Sequence, residues 1–437
     1  MKIFLDMIGC RLNQSEIEGF ANLFRALGHE IVPEPHDADL AIINTCAVTV
    51  KAAADSRKHL RRSAREGARS VIATGCWATI EPDAARELTG VTQVVVNADK
   101  DHLVADLFSL PQEEIDALAL RRDPLPGDRA RTRAFIRVQE GCDNHCTYCL
   151  TRVARGISRS RPVEMIQKDI QAALDGGSVE IVLTGVQLGA WGRDFNAPQG
   201  LKDLIKAVLG HARLQRVRLS SIEPWDFDLS MLSLWQDLRL CGHLHIPLQS
   251  GSDRVLRKMG RPITISAYQA LMDTIRQIIP AVAITTDVIT GFPGERVADF
   301  EATKAILSRI GFSGGHVFTY SPRPGTPAFK MDEQVPRQVA KARNAALQDV
   351  FRVGGERYRD RWIGRTLTVL WESSEQAEDG LWHLSGLTDN YVKVYSLAEK
   401  DLWNKISSVR LMAHHPAGGA LTGQIEPENE VGVAAKA

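Results

Sequence analysis

The sequence predicts an α/β multidomain protein: an N-terminal doubly wound parallel sheet, a central partial (β/α)6 barrel and a small C-terminal antiparallel β-barrel. Three observations predict it. Short apolar runs alternate with helix-periodic segments from Ile3 to about residue 350. Those runs end in cysteine, glycine or polar words, as the carboxyl rim of a parallel sheet does. After Gly354 the helical period gives way to short strands joined by polar loops.

In the N-terminal third, Ile3 to Leu5, Leu40 to Ile43 and Val71 to Ala73 read as buried strands. Ser15 is expected to cap a helix in which Ile17, Phe20, Phe24 and Leu27 keep helical spacing, and helix-forming sequence runs on to about Ala119. Cys10, Cys46 and Cys76 each follow one of the three strands, so residues far apart in sequence converge on one rim. Three converging thiolates point to an iron–sulfur cluster with one iron left open. Small cysteines packed as hydrophobes would explain any one of them, but three at equivalent strand exits weigh against that. Arg121 to Arg133, rich in Pro, Gly and Arg, is the expected connector between residues 1–120 and a second domain over 134–350.

The second domain opens on the apolar run Ala134 to Val138 and then Cys142-Asp-Asn-His-Cys146-Thr-Tyr-Cys149, a C-x3-C-x2-C loop at a strand exit. Three thiolates on one loop can hold three irons of a 4Fe–4S cubane and leave the fourth open. A structural zinc site takes four ligands as separated pairs, and ferredoxin runs supply a fourth cysteine. Neither fits, and His145 lacks a second knuckle. Further strands are expected at Phe135–Gln139, Glu180–Leu183, Arg216–Leu219, His243–Leu248, Val282–Ile289 and Gly315–Thr319. Helices separate them near Val163–Leu174, Leu201–His211, Leu229–Leu238, Ala267–Ile278 and Ala298–Ile310. Six such units make an open barrel with its chemistry at the carboxyl ends. Gly185, Gly251 and Gly291 on that rim would let backbone approach a ligand closely. Cys241, the seventh cysteine, is read as structural.

Residues 354–425 form the expected third unit, with strands at Leu367–Leu370, Leu381–Ser385, Val392–Tyr395 and Val409–Met412, and residues 426–437 an expected disordered tail. Lys+Arg and Asp+Glu balance at 53 each, so overall charge does not announce nucleic acid. Basic residues nevertheless cluster at Lys51–Arg69, Arg121–Arg137, Arg152–Arg161 and Arg352–Arg365, which favours an anionic partner over plain solvated faces. In the third unit Arg357, Arg359, Arg361, Arg365 and Lys393 could contact phosphate, while Trp362 and Tyr391 could stack on bases or simply pack. No apolar run is long enough to span a membrane and no secretory signal opens the sequence, so a cytoplasmic location is expected, where thiols serve metals rather than disulfides.

The C-x3-C-x2-C loop, with Tyr148 as the aromatic before its last cysteine, resembles the hallmark of radical S-adenosylmethionine (SAM) enzymes. The resemblance implies that SAM chelates the open iron through its amino and carboxylate groups and is cleaved by one electron to methionine and a 5′-deoxyadenosyl radical. Gly9-Cys10-Arg-Leu-Asn13-Gln14-Ser-Glu16, Asn44-Thr45-Cys46-Ala-Val-Thr49 and Thr74-Gly75-Cys76 look like the N-terminal domain of methylthiotransferases within that group. This implies two [4Fe–4S] clusters, with the sulfur to be transferred held at the open iron of the second, auxiliary one. Ile246-Pro-Leu-Gln249-Ser250-Gly251 and Gly291-Phe-Pro-Gly-Glu295 also look like family words. The resemblance implies SAM contacts from Tyr148, Thr184, Gly185, Ser220, Glu223, Gln249, Ser250, Asp287 and Gly291, although Thr184-Gly185-Val186 stands where many radical SAM enzymes have Gly-Gly-Glu. The third unit resembles the RNA-binding TRAM domain.

These likenesses imply a tRNA methylthiotransferase acting on C2 of a modified adenosine beside the anticodon, with two SAM used per turnover. The word around Asn13-Gln14 looks most like the branch acting on N6-threonylcarbamoyladenosine. The isopentenyladenosine branch and a branch modifying an aspartate of a ribosomal protein are the alternatives. A non-catalytic iron–sulfur RNA-binding or redox-sensing protein is the alternative of another class, and it needs neither an open iron nor a barrel around it. The expected partners are a tRNA anticodon stem-loop, an electron donor such as flavodoxin or ferredoxin and a sulfur source, with no membrane and a monomeric enzyme.

Overall fold

The computed structural model describes residues 1–126 and 132–427. Its N-terminal sheet is parallel, with β1 (Lys2–Met7), β2 (Glu30–Val32), β3 (Leu40–Thr45), β4 (Ser70–Gly75) and β5 (Val91–Val95) in the order β2-β1-β3-β4-β5. This is a doubly wound order whose switch point lies between β1 and β3. The central strand β3 is buried along its whole length, as its apolar run demands. Helix α1 (Arg11–Ala26) covers one face through Ile17, Phe20 and Phe24, and α2 (Val50–Arg65) covers the other through Ala53 and Leu60.

Three sequence expectations change here. Helix α1 begins at Arg11, with Cys10 in the capping position and Ser15 inside the helix. Asn13 closes the entry earlier by donating to Ile8 O at 2.7 Å. The three-residue edge strand β2 was too short to register as a pattern. The segment expected to be helical up to Ala119 contains β5, whose mostly half-exposed residues show no clean alternation, between α3 (Cys76–Ile80), α4 (Pro82–Arg86), α5 (Leu103–Phe108) and α6 (Gln112–Asp116).

The central unit is an open barrel of two parallel sheets. β6 (Arg133–Arg137), β9 (Glu180–Thr184) and β10 (Arg216–Leu219) form one; β11 (His243–His245), β12 (Ala283–Thr290) and β13 (Gly314–Thr319) form the other. A parallel bridge, Ser221 to His245, joins them. A short antiparallel ribbon, β7 (Gln139–Glu140) with β8 (Arg159–Ser160), brackets the cysteine loop. Around the sheets lie α7 (Thr151–Arg155), α8 (Val163–Asp175), α9 (Leu201–Leu209), α10 (Asp253–Lys258), α11 (Ile265–Ile278), α12 (Val297–Ile310) and α13 (Arg337–Asp360). The segment near 229–238 is a 3-10 turn over Leu229–Gln236 rather than an α-helix, pinned at its start by Asp228, which accepts from Ser230 N at 2.8 Å.

Helix α13 runs through residues 350–354, where a boundary was expected, and the C-terminal barrel begins at β14 (Thr366–Gln376). It closes through β15 (Trp382–Thr388), β16 (Lys393–Ala398), β18 (Leu421–Ile425) and β17 (Ile406–His414) around Trp371, Val394, Val409 and Leu411. Strand β18 was not anticipated, because Leu421 is its one fully buried residue. The barrel is tied to the central unit by Arg218, which is fully buried, binds Glu180 at 2.7 Å and donates to Asp389 O and Thr388 O. Parts of the expected connector (127–131) and tail (428–437) lie outside the described residues.

Candidate active site between two three-cysteine centres

Gly9, Gly75 and Gly141 each stand directly before a cysteine and have φ of +111°, +93° and +70°. At Gly75 a Cβ would collide with Asn44 Oδ1 and Thr45 O, and at Gly141 with Ile157 O. These positions require glycine, and the tight turns set Cys76 and Cys142 at their strand exits. A Cβ on Gly9 would lie 2.7 Å from Cys46 Sγ, which places Cys46 against the Gly9-Cys10 turn.

In the N-terminal centre, Cys46 N donates to Ser56 Oγ of α2 at 2.9 Å, Cys10 Sγ meets Asn13 Oδ1 at 3.6 Å, and Asn97 Nδ2 reaches Cys76 Sγ at 3.8 Å. The three thiols lie within electrostatic reach of one another, and burial pushes the Cys46 thiol up to about 11. In the barrel centre, backbone amides of Asn144 and Thr151 donate to Cys142 Sγ and Cys149 Sγ at 3.4 and 3.3 Å. The loop is held by Thr147, whose N donates to Met259 O and whose O accepts from Ala328 N. Burial pushes the Cys142 thiol up to about 12 and Cys146 up to about 11. Metal loading at these cysteines would therefore displace protons, because the thiolate is the ligand.

Among the described residues no group of three or more His, Cys, Asp or Glu side chains is arranged to hold a metal ion. A cubane places each thiolate on its own iron, further apart than ligands that share one ion. Three thiols per centre, with amide donors at the sulfurs, fit such a cluster better than a mononuclear site. His145 turns instead to the Arg152 guanidinium, 2.5 Å away.

A cavity of about 240 Å³ lies between the two centres, bordered by Cys76 on one side and Cys149 on the other. Its lining is largely apolar and includes Val48, Leu150, Ile289 and Phe318, with Val48 and Phe318 exposed at 63% and 45%. Tyr148, Gln249 and Asp287 also line it. Gln249 has a φ of +72°. Asp287 binds His316 Nδ1 at 3.1 Å and His245 Nε2 at 3.3 Å; although burial would raise its pKa, these imidazoles hold it well below the usual carboxylate range.

The other residues expected around SAM do not line this cavity. Glu223 accepts from the buried Arg261 at 2.7 Å, and Arg261 also approaches Tyr148 Oη at 3.5 Å. Ser220 Oγ is buried without a partner, and Thr184 and Ser250 are buried. Three glycines of this rim are closely packed against neighbouring residues. A Cβ at Gly251 would strike Thr303 of α12, one at Gly291 would strike Ala340 of α13, and one at Gly185 would press on Gln139.

A buried ion network that the sequence did not disclose joins the centres. Arg155, at the end of α7, donates to Glu16 Oε1 at 2.7 Å, Glu140 Oε1 at 2.9 Å and Asn13 Oδ1 at 2.7 Å. Lys100 Nζ and Asn44 Nδ2 each bind Glu16 Oε2 at 2.8 Å. Burial alone would raise the Glu16 pKa, yet Arg155 and Lys100 hold it far below its ordinary value. Part of the basic clusters is thus internal: Arg122, Arg137 and Arg155 are ion-paired within the fold. Lys51, Lys58, Arg61 and Arg65 of α2 remain exposed. In the C-terminal region Trp362 is buried, and Tyr391 stacks on His243 with centroids 4.0 Å apart, so both pack. Arg357, Arg361, Arg365 and Lys393 are exposed.

The model of the Radical SAM superfamily matches residues 136–307, and that of the uncharacterized protein family UPF0004 matches residues 2–97. A threonylcarbamoyladenosine tRNA methylthiotransferase MtaB of Thermotoga maritima is 38% identical, over 89% of this chain and 90% of that one. Its namesake in Bacillus subtilis is 34% identical over 93% and 92%. A tRNA-2-methylthio-N(6)-dimethylallyladenosine synthase of Maricaulis maris is 32% identical over 97% of each. Among solved structures, the radical SAM methyltransferase TsrM from Kitasatospora setae shares the fold, with a TM-score of 0.57 at 14% identity over 75% of this chain and 74% of that one. Relatives 32–38% identical and aligned along nearly the whole length, with the Radical SAM match over the barrel, place this chain in the radical SAM methylthiotransferase family.

Proposed function

We propose that the chain attaches a methylthio group to C2 of N6-threonylcarbamoyladenosine beside the anticodon of tRNA, using two SAM per turnover. The observation that carries this reading is the shared cavity: a base held there meets Cys76 of one centre and Cys149 of the other. Cys142, Cys146 and Cys149 would hold the cluster that binds SAM, and Cys10, Cys46 and Cys76 the cluster that presents sulfur. When bound, these groups supply the electron, the radical and the sulfur. The protein's part is to hold and shield them. Phe318 and Val48 offer apolar faces to a splayed-out base at the cavity mouth, the mode by which single-stranded RNA is read. Tyr148, Gln249 and Asp287 are the cavity's candidates for orienting SAM, and Arg261 fixes Glu223 and Tyr148 behind it.

The reading assigns sulfur transfer to residues 1–120, with a connector at 121–133, radical generation to 134–350 and RNA binding to 354–425, helix α13 bridging the last joint. Exposed Lys58, Arg61 and Arg65 on α2, which starts beside the cavity at Val50, suit phosphate contacts. Among the described residues no helix is long and apolar enough to cross a membrane. A cytoplasmic monomer served by flavodoxin or ferredoxin and by a separate sulfur source completes the proposal.

Nucleoside mass spectrometry of tRNA from cells with and without the gene tests it. Loss of 2-methylthio-N6-threonylcarbamoyladenosine on deletion is expected. Loss of the dimethylallyl analogue instead would transfer the chain to the sister substrate, which the apolar cavity lining would also suit.

A further inference from the structure

Helix α7 starts two residues after Cys149 and is five residues long. Its C-terminal neighbour, Gly156, returns to the same loop, where its carbonyl accepts from Cys142 N at 3.1 Å. The helix is therefore part of the SAM-cluster cradle. Its last two residues belong equally to the other centre. Ala154 O accepts from Asn97 Nδ2 at 2.7 Å, and that amide also reaches Cys76 Sγ at 3.8 Å. Arg155 Nη2 donates at 2.7 Å to Asn13 Oδ1, the atom that meets Cys10 Sγ at 3.6 Å.

The guanidinium is almost entirely buried, its side chain 2% exposed, and so is its main partner, Glu16. Four cations, the buried Arg155 and Lys100, Arg137 and the more exposed Arg159, face three carboxylates, Glu16, Glu140 and Asp101. Its core, Arg155 and Lys100 on Glu16, is buried, so a charge brought in by a cluster is felt there at low dielectric. Arg155 is the member whose field falls on Cys10, Cys46 and Cys76 together.

We propose that Arg155 is a positioning residue for both centres, which locks the SAM-cluster helix to the auxiliary cradle and sets a buried positive charge against the auxiliary cluster, raising its reduction potential. One-electron reduction adds a negative charge to a cluster, and a fixed cation nearby stabilises that state; net charge and hydrogen bonds near the sulfurs are what tune such potentials. The proposal rests on the reading that Cys10, Cys46 and Cys76 hold a cluster.

The test uses the full chain with Cys142, Cys146 and Cys149 changed to Ala, reconstituted anaerobically so that the auxiliary centre alone can load. Iron is counted, and the midpoint potential is followed by EPR during dithionite titration. Arg155→Met is expected to lower the potential with iron content retained, and Arg155→Lys to restore most of the shift. Glu16→Gln/Arg155→Met removes both halves of the buried pair, which guards against misfolding and leaves the net charge unchanged, and should sit closer to the parent than Arg155→Met does. If Arg155→Met loads no iron while Arg155→Lys does, the charge requirement is supported. Loaded Met and Lys variants at the parent potential would overturn the proposal, as would loss of iron in Lys and Met variants alike, since shape and not charge would then decide. A parent protein that binds no iron would contradict the cluster reading and the proposal together.

Discussion

At the scale of single residues, the six cysteines proposed as ligands were legible because Cys10, Cys46, Cys76 and Cys142 follow apolar runs that mark strand exits, and Cys146 and Cys149 share the loop that Cys142 opens. The Gly-Cys word repeated at three of them is plain in the sequence, but the conformation it serves is not. Its meaning depends on a backbone that turns with positive φ against chain segments distant in sequence or looping back, which no local pattern reveals. Gly75→Ala and Gly141→Ala are expected to damage one centre each: the first the auxiliary cluster, the second the SAM cluster. Iron analysis after reconstitution should show roughly half the parental iron in either variant, and Gly141→Ala alone should abolish SAM cleavage. Retention of full iron in both would show that the turns do not position the ligands. The partners of Arg155 and Arg261 were illegible for a related reason: a buried guanidinium is satisfied by residues far away in sequence, such as Glu16, 139 positions distant, and its basic neighbours made it look like surface charge.

At the scale of elements, strong periodicity was a reliable guide and short or edge elements were not. The six barrel strands and the long helices α8, α11 and α12 lie where apolar spacing puts them. Strands β2, β5 and β18 were missed because few of their residues are buried. Helix α2 carries a titratable contact to the sheet beside its apolar packing and its Ser56 bond. His59 Nδ1 lies 2.8 Å from Asp6 Oδ2 of β1, and this hydrogen bond raises the imidazole above its ordinary value of about 6.5. A group whose folded pKa is raised stabilises the fold fully below its unfolded pKa and loses that contribution as pH rises through the folded value. His59→Gln should therefore be less stable than the parent near pH 5.5, with the gap closing towards about pH 8.5. Denaturant unfolding at the two pH values measures it, and a gap that widens with pH would contradict the assignment.

At the scale of the whole molecule, the three units are joined by buried charge rather than by apolar surface alone. Arg155 with Glu16 links the N-terminal sheet to the open barrel, and Arg218 with Glu180 links the barrel to the C-terminal module. Breaking such pairs is costly because a charge is left without a partner, and so the relative placement of the two cysteine centres is firmly held. That placement is the part of the account no linear reading supplies, because it depends on which rim faces which. The central claim, that the centres divide one reaction across one cavity, is tested by assaying the reconstituted enzyme with tRNA bearing N6-threonylcarbamoyladenosine, SAM, sulfide and dithionite. Both 5′-deoxyadenosine and the 2-methylthio nucleoside are measured. The parent should yield both, Cys149→Ala neither, and Cys76→Ala 5′-deoxyadenosine without the methylthio nucleoside. Methylthio product from Cys76→Ala at the parental rate, or none from the parent, would contradict it.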